Sequence, residues 1–404
     1  MAEERLAEDD RKAEGVLATV GAVRALDEVH ARIGRYFHRR EMRERVRRYL
    51  DGLLAHVERK NSWQLAEGLG EAGPQGVQRL FTDADWDAEA VRDELRTYVV
   101  EQLGDAVSGV VVVDETGFVK KGTKSAGVAR QYSGTAGRRE NQQIGVFLLY
   151  ASDRGAAFID RALYLPDEWM GDAQRRAEAH LPAGVGFATK GEIARELLAR
   201  AFAAGVPARW VVGDTVYSAD ELRRWLEGQG RSYVLAVPQT HGIWTRGHQR
   251  TVEQLVADLP ADAWTRLSAG EGSQGPRWYD WACLALPYAG AAGRAHWLLA
   301  RRSRSDPTKL AYYRVYGPTD TPVTEMVRVA GRRWTIEEGF EQAKGEVGLD
   351  QYEVRRYDAW YRYVTLALLA HAALDITRLS AREVTRETHA QDGKGGAALP
   401  TGSR

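Results

Sequence analysis

Residues 109–117 read GVVVVDETG, four valines running straight into an acid. A β-branched run without polar alternation fits a strand buried on both faces, as in a parallel sheet covered on each side. Asp114 closes the run, and a carboxylate there is held at the rim of the sheet, where ligands of α/β proteins bind. About 100 residues on, ARWVVGDTVY (208–217) brings a second apolar run to Asp214. Two such acids on neighbouring strands repel each other, and a divalent cation between them makes the pair tolerable. A strand-end aspartate equally caps a turn or the next helix, and spacing alone does not say that the two meet.

Working outward, NQQIGVFLLYAS (141–152) and AAFIDRALYLP (156–166) predict two more strands, forming a meander with the first. KGEIARELLARAFAAG (190–205) and ADELRRWLEGQG (219–230) have helical periodicity, and SYVLAVP (232–238) reads as a further strand. From about 240 to 320 come short strands and turns with Trp244, Trp264, Trp278, Trp281 and Trp297. The side chains of such tryptophans usually fill the core of a small β domain. Helices return in TPVTEMVRVAGRRWTIEEGFEQAKGEVG (321–348) and AWYRYVTLALLAHAALDITRLS (359–380). After about residue 382 the sequence is polar and glycine-rich, which predicts a disordered tail.

Residues 1–104 read as mainly helical. Within them ARIGRYFHRREMRERVRRYL (31–50) concentrates arginines, Arg39, Arg40, Arg43 and Arg47 among them. Such a face suits phosphate contact, or a solvated helix with internal ion pairs. NSWQLAEGLGEAGPQGVQRLF (61–81) reads as two short helices about a Gly-Pro turn, a weak helix-turn-helix pattern.

The 404 residues carry 56 basic and 56 acidic side chains, so net charge announces no nucleic acid. The single cysteine, Cys283, excludes an internal disulfide and a cysteine-rich metal site, and is read as a buried structural thiol. No apolar run approaches the roughly 18 residues of a spanning helix. The acidic start MAEERLAEDD is no signal peptide, so a soluble, intracellular protein with no membrane contact is expected. The nine histidines form no HExxH-like pair.

Two cationic patterns accompany the acids. On a helix, Arg333, Glu337, Phe340, Glu341 and Lys344 share one face, which reads as surface ion pairing or as an acid flanked by phosphate-contacting cations. Lys120, Lys121, Lys124, Arg130, Arg138 and Arg139 follow with no acid between Glu115 and Glu140. That glycine-containing segment suits a phosphate backbone, or an ordinary basic hairpin loop.

The ordered blocks VVVVDETGFVKKGTKSAGVARQYSGTAGRRENQQIGVF, WVVGDTVY and RRWTIEEGFEQAKGEVGLDQYEVRRYDAWYRYVTLALLAHAAL resemble those of bacterial insertion-sequence DDE transposases. The closest group is that typed by insertion sequence 701, related to the insertion-sequence-4 type, and the likeness spans roughly residues 30–380. It implies an α/β fold: a ribonuclease-H-like mixed sheet flanked by helices, interrupted by a β-rich insertion, with a helical N-terminal domain. The organisation expected is an N-terminal DNA-binding domain over 1–104 and a first catalytic part over 105–238. The insertion then covers 239–321, the C-terminal core helices 322–381, and a disordered tail 382–404.

Asp114, Asp214 and Glu337 would be the catalytic, metal-binding triad, holding two Mg²⁺ ions, for which Mn²⁺ substitutes. Glu338 is the rival for Glu337; Glu337 keeps the family spacing and shares a helix face with Lys344. Arg333 and Lys344 would contact DNA near the reacting phosphate. Related enzymes stack an insertion tryptophan on an extruded base, a role for which Trp244 in HGIWTRGH is the candidate. The resemblance implies cut-and-paste transposition on double-stranded DNA, with terminal inverted repeats and target as substrates. It also implies a homodimer and a bacterial cytoplasm. A nuclease without strand joining and an idle DNA-binding descendant are the alternatives. The sequence departs from the pattern at Ala330 (tyrosine in the wider family), Ser218 (glycine) and Gln142 (often cysteine).

Overall fold

The computed structural model describes residues 21, 23–134, 137–245, 247–272 and 275–395. Residues 1–20 of the expected N-terminal domain and 396–404 of the expected tail lie outside it.

Among the described residues, five helices come first: α1 (23–33), α2 (Arg40–Leu54), α3 (Ser62–Gly68), α4 (Gln75–Thr82) and α5 (Ala88–Leu103). α3 and α4 flank the Gly-Pro turn, and the Asn61 side chain caps α3 by accepting from the Gln64 N–H. These helices do not form a core of their own. Val46, Leu50, Leu80, Val91 and Leu95 join one buried cluster with Leu149 of the sheet and Leu366 and Leu369 near the C-terminus.

The sheet has ten strands. β1 (Val110–Val119), β2 (Ala129–Ser133), β3 (Arg138–Ser152) and β4 (Gly155–Tyr164) form an antiparallel group, in which β2 and β4 pair with successive parts of β3. α6 (Ala173–Glu178) and α7 (Lys190–Ala203) then lead to β5 (Trp210–Gly213), which pairs parallel with β1. After α8 (Asp220–Gly228), β6 (Ser232–Val237) pairs parallel with β5. A hairpin of β7 (Gly242–Thr245) and β8 (His248–Thr251) and the short α9 (Val252–Ala257) follow.

β9 (Thr265–Gly272), β10 (Gly275–Leu286), β11 (Arg294–Arg302) and β12 (Leu310–Pro318) follow, and Leu286, Leu298, Ala300 and Tyr312 pack with Ile243, Val252 and Val256 in a second buried cluster of their own. These strands extend the same sheet, giving the order β3-β1-β5-β6-β12-β11-β10-β9. The join is β12 on β6, antiparallel from Tyr312↔Val237 to Tyr316↔Tyr233. Pairing β12 there satisfies the open edge of β6, which otherwise exposes unpaired backbone groups. Trp281 is buried in the common core, whereas Trp244 is 60% exposed and Trp278 47%. Cys283 is half-buried rather than fully enclosed, its Sγ 3.9 Å from Met326 Sδ.

The chain ends in α10 (Val323–Gly331), α11 (Trp334–Glu346) and α12 (Tyr357–Gly395). α12 continues as helix past residue 382, where composition predicted disorder. No glycine or proline interrupts the sequence between Ala381 and Gly393, so nothing stops helical propagation. Tyr357–Ala381 is also long and apolar enough to cross a membrane, although Asp358, Arg362, Asp375 and Arg378 interrupt its apolar sequence. Two-thirds of its apolar window is buried, packed against α2, α4, α5 and β4. A helix apolar all round is what the centre of a large core requires.

Candidate active site

The parallel register of β1 and β5 runs Val110↔Trp210 to Val113↔Gly213. Asp114 and Asp214 are each the next residue, so two neighbouring strands deliver both acids to one place. β5 stops there, while β1 continues to Val119 against β3. Asp114 therefore does not end its strand; it stands where its parallel neighbour ends. Gly213 makes the approach possible, since an added Cβ would lie 3.0 Å from Val113 Cγ1 and 3.1 Å from Tyr217 Cβ. The Asp214 side chain accepts from the Val216 N–H at 2.8 Å, capping the turn after β5, so the capping role and the site role coincide.

A third acid joins them that sequence reading passed over. Single carboxylate oxygens of Asp114, Glu115 and Asp214 lie within 4.8 Å of one another. Glu115 accepts from Lys190 Nζ at 2.6 Å and from the Tyr217 hydroxyl. The only available signal was its place beside Asp114, because both partners come from distant parts of the chain.

Glu337 arrives on α11. Ile336, Phe340 and Ala343 form the buried stripe of this helix, with Phe340 5.1 Å from Phe158 and 5.3 Å from Phe147. Gly339 lets the helix lie close, since a Cβ there would approach Leu149 Cδ1 to 3.0 Å. The face bearing Arg333, Glu337 and Lys344 then lies along β1. Arg333 donates to Asp114 Oδ2 at 3.4 Å and to Glu337 Oε1, so one guanidinium spans both acids. Lys344 Nζ donates to Thr116 Oγ1 at 2.7 Å. Glu338 points elsewhere, its Oε1 accepting from Trp334 Nε1 at 2.8 Å.

The electrostatics are those of acids crowded without enough positive charge. Burial, with Asp214 and Glu115 beside it, pushes Asp114 up to about 7, although Arg333 opposes the shift. Burial and Glu115 raise Asp214 as well. The donor set is all oxygen and in excess of cations, which fits a hard divalent ion such as Mg²⁺.

A pH dependence follows. Asp114 has a folded pKa above its unfolded one, so between about 4 and 7 the folded chain binds the extra proton. Without divalent metal, this group makes the protein lose stability as pH rises through that window. Thermal melts should give a higher Tm at pH 5 than at pH 8. Asp114→Asn should flatten that difference, and an unchanged slope in the variant would refute the assignment.

The remaining basic candidates divide by environment. Lys120 is taken up internally: Nζ lies 3.3 Å from the centre of the Tyr352 ring and donates to the Tyr352 carbonyl at 2.9 Å. Burial brings it down to about 7, so the structure does not offer it to a phosphate as expected. Lys121, Lys124, Arg130, Arg138 and Arg139 are exposed, Lys124 paired with Glu178 and Arg138 with Glu140. On α2, Arg40 pairs with Glu44, and Arg47 pairs with Asp27 and Asp51. Arg39 and Arg43 are exposed, with no ion pair among the described residues. Two of the departures from the family pattern have structural roles. Gln142 Nε2 donates to the Tyr132 carbonyl at 2.9 Å, tying β2 to β3, and Ser218 Oγ donates to the Thr215 carbonyl at 2.8 Å.

Residues 33–264 match the family described as DDE superfamily endonuclease, and residues 188–372 match the transposase DDE domain. The first span carries Asp114 and Asp214, and the second Asp214 and Glu337. The chain belongs to the DDE superfamily of endonucleases, and its mixed sheet flanked by helices is compatible with the ribonuclease-H-like fold of such enzymes. Within that class it is a DDE transposase, and it is similar to those of the insertion-sequence-701 type. A protein of Microchaete diplosiphon, described as a probable transposase for insertion sequence element IS701, is 24% identical over 316 residues. That match covers 76% of this chain and 75% of the relative.

Proposed function

We propose that the chain cuts DNA at the ends of its insertion element and joins those ends to target DNA by cut-and-paste transposition. The observation that carries this reading is the β1–β5 register seating Asp114 beside Asp214, with Glu337 linked to Asp114 through Arg333. Asp114, Asp214 and Glu337 are the acids that would hold Mg²⁺, with Glu115 beside them. A bound pair of divalent ions supplies charge stabilisation at the attacking and leaving oxygens of an in-line phosphodiester displacement.

The protein's own residues do the positioning. Arg333 stands among the acids, and with a metal holding their carboxylates its guanidinium would be released to pair with two oxygens of a phosphate. Lys344 braces α11 against β1 through Thr116, so Glu337 enters the site on a supported helix. Lys121, Lys124, Arg130, Arg138, Arg139, Arg39 and Arg43 supply exposed positive charge for double-stranded DNA, whose affinity is dominated by phosphate contacts. The exposed ring of Trp244 is the candidate for stacking on a base. The active complex is a homodimer on paired element ends, working in the bacterial cytoplasm.

Strand joining separates this reading from a simple nuclease. Pre-cut fragments of the DNA flanking the coding region, ending in a free 3′-hydroxyl, are incubated with supercoiled target and Mg²⁺. The expected product is target DNA covalently joined to the fragment. Cleavage of uncut ends with no joined product from pre-cut ends would reduce the function to hydrolysis.

A further inference from the structure

Away from the carboxylate rim, α12 buries His371 to 1% exposure, and neither ring nitrogen has a hydrogen-bond partner. Phe158 packs against the ring with centroids 6.0 Å apart. One helical turn on, Asp375 Oδ2 stands 3.2 Å from His371 Nδ1. Glu346, the last residue of α11, completes the group, with one ligand atom from each residue within 4.8 Å of the others.

We propose that Glu346, His371 and Asp375 form a second metal site, for a zinc-class divalent ion, distinct from the catalytic acids. Adjacent ligands of a tetrahedral ion bound at roughly 2.0–2.1 Å stand about 3.3 Å apart, close to the Nδ1–Oδ2 separation. One imidazole nitrogen with two carboxylates suits zinc and not the all-oxygen preference of Mg²⁺. A helix-internal histidine–aspartate hydrogen bond is the simpler account, but although Asp375 Oδ2 lies within reach, neither ring nitrogen makes a contact of hydrogen-bonding geometry. A cavity of about 220 Å³, lined in part by Glu338, Gln342, Asp375 and Arg378, opens beside the group. Arg378 pairs with Glu346 at 2.7 and 2.8 Å and, being partly exposed, turns outward when the ion takes the carboxylate. The ion ties the end of α11 to α12, and α11 is the helix that carries Arg333, Glu337 and Lys344.

The test uses the full chain carrying Asp114→Asn and Asp214→Asn, which removes two catalytic acids. After chelation, Zn²⁺ alone is returned by equilibrium dialysis. About one zinc per chain is expected, with a Tm rise of roughly 3 °C at saturating ion. Adding Glu346→Gln and Asp375→Asn should weaken binding by roughly tenfold or more. Co²⁺ alone, titrated into the double variant, should give visible absorption bands of a tetrahedral site. That spectrum decides the matter if the quadruple variant does not fold. No retained zinc, zinc indifferent to Glu346 and Asp375, or a featureless cobalt spectrum would overturn the proposal.

Discussion

Asp114→Asn should abolish DNA cleavage, by roughly a thousandfold or more, while leaving the metal-free protein as stable as the parent at pH 8, or more so. Loss of activity and retention of stability have one cause. Asp114 sits in a buried position beside Asp214 and Glu115, and its pKa is pushed up to about 7 because ionising there is unfavourable. Asparagine has the same shape without the charge, so it removes repulsion from the fold and a ligand from the metal. Asp214→Asn should behave alike, since its pKa is raised by burial and by Glu115. The helix acids sharpen the test. Glu337→Gln should lose activity comparably, because Glu337 shares Arg333 with Asp114. Glu338→Gln should stay near the parent rate, because its carboxylate is occupied by the Trp334 indole. Plasmid cleavage and thermal melts on the four variants check this. A folded Asp114→Asn protein that still cuts would refute the site.

Asp160→Asn should have the opposite signature, lowering stability by about 3–5 kcal/mol. Asp160 is fully buried on β4, 2.9 Å from Arg92 on α5 and 3.1 Å from Arg200 on α7. Arg161, also fully buried, donates its backbone N–H to the same carboxylate at 2.8 Å. Burial works against the charge, but Arg92, Arg200 and Arg161 together hold the carboxyl below its ordinary pKa. Such a depressed group stabilises the fold above the unfolded pKa and loses its contribution as pH falls through the folded one. Removing the acid leaves Arg92 buried against fewer negative charges. Urea unfolding should show a lower midpoint with an unchanged slope. A shift worth less than about 1 kcal/mol would mean that the N-terminal helices are not anchored through this ion cluster.

The valine runs into Asp114 and Asp214, the three-strand meander, and the stripe of Arg333, Glu337 and Lys344 were legible because local periodicity records them. The face of α11 was legible for the same reason: Arg333 and Lys344 do both reach β1, at Asp114 and Thr116. Glu115 was not, because its significance rests on Lys190 and Tyr217, which come near only after folding. Lys120 looked like any lysine of a basic loop until Tyr352 closed over it.

By itself the sequence determined the main buried strands and amphipathic helices, and which acids stand at the ends of buried runs. Those properties depend on the order of apolar and polar side chains within a few residues. The tertiary structure alone decided that β12 adds to β6, that the N-terminal helices share the main core, and that Asp114 and Asp214 are neighbours. The last follows from a register of four backbone pairs between strands about 100 residues apart, and register is a property of paired strands that neither strand contains alone.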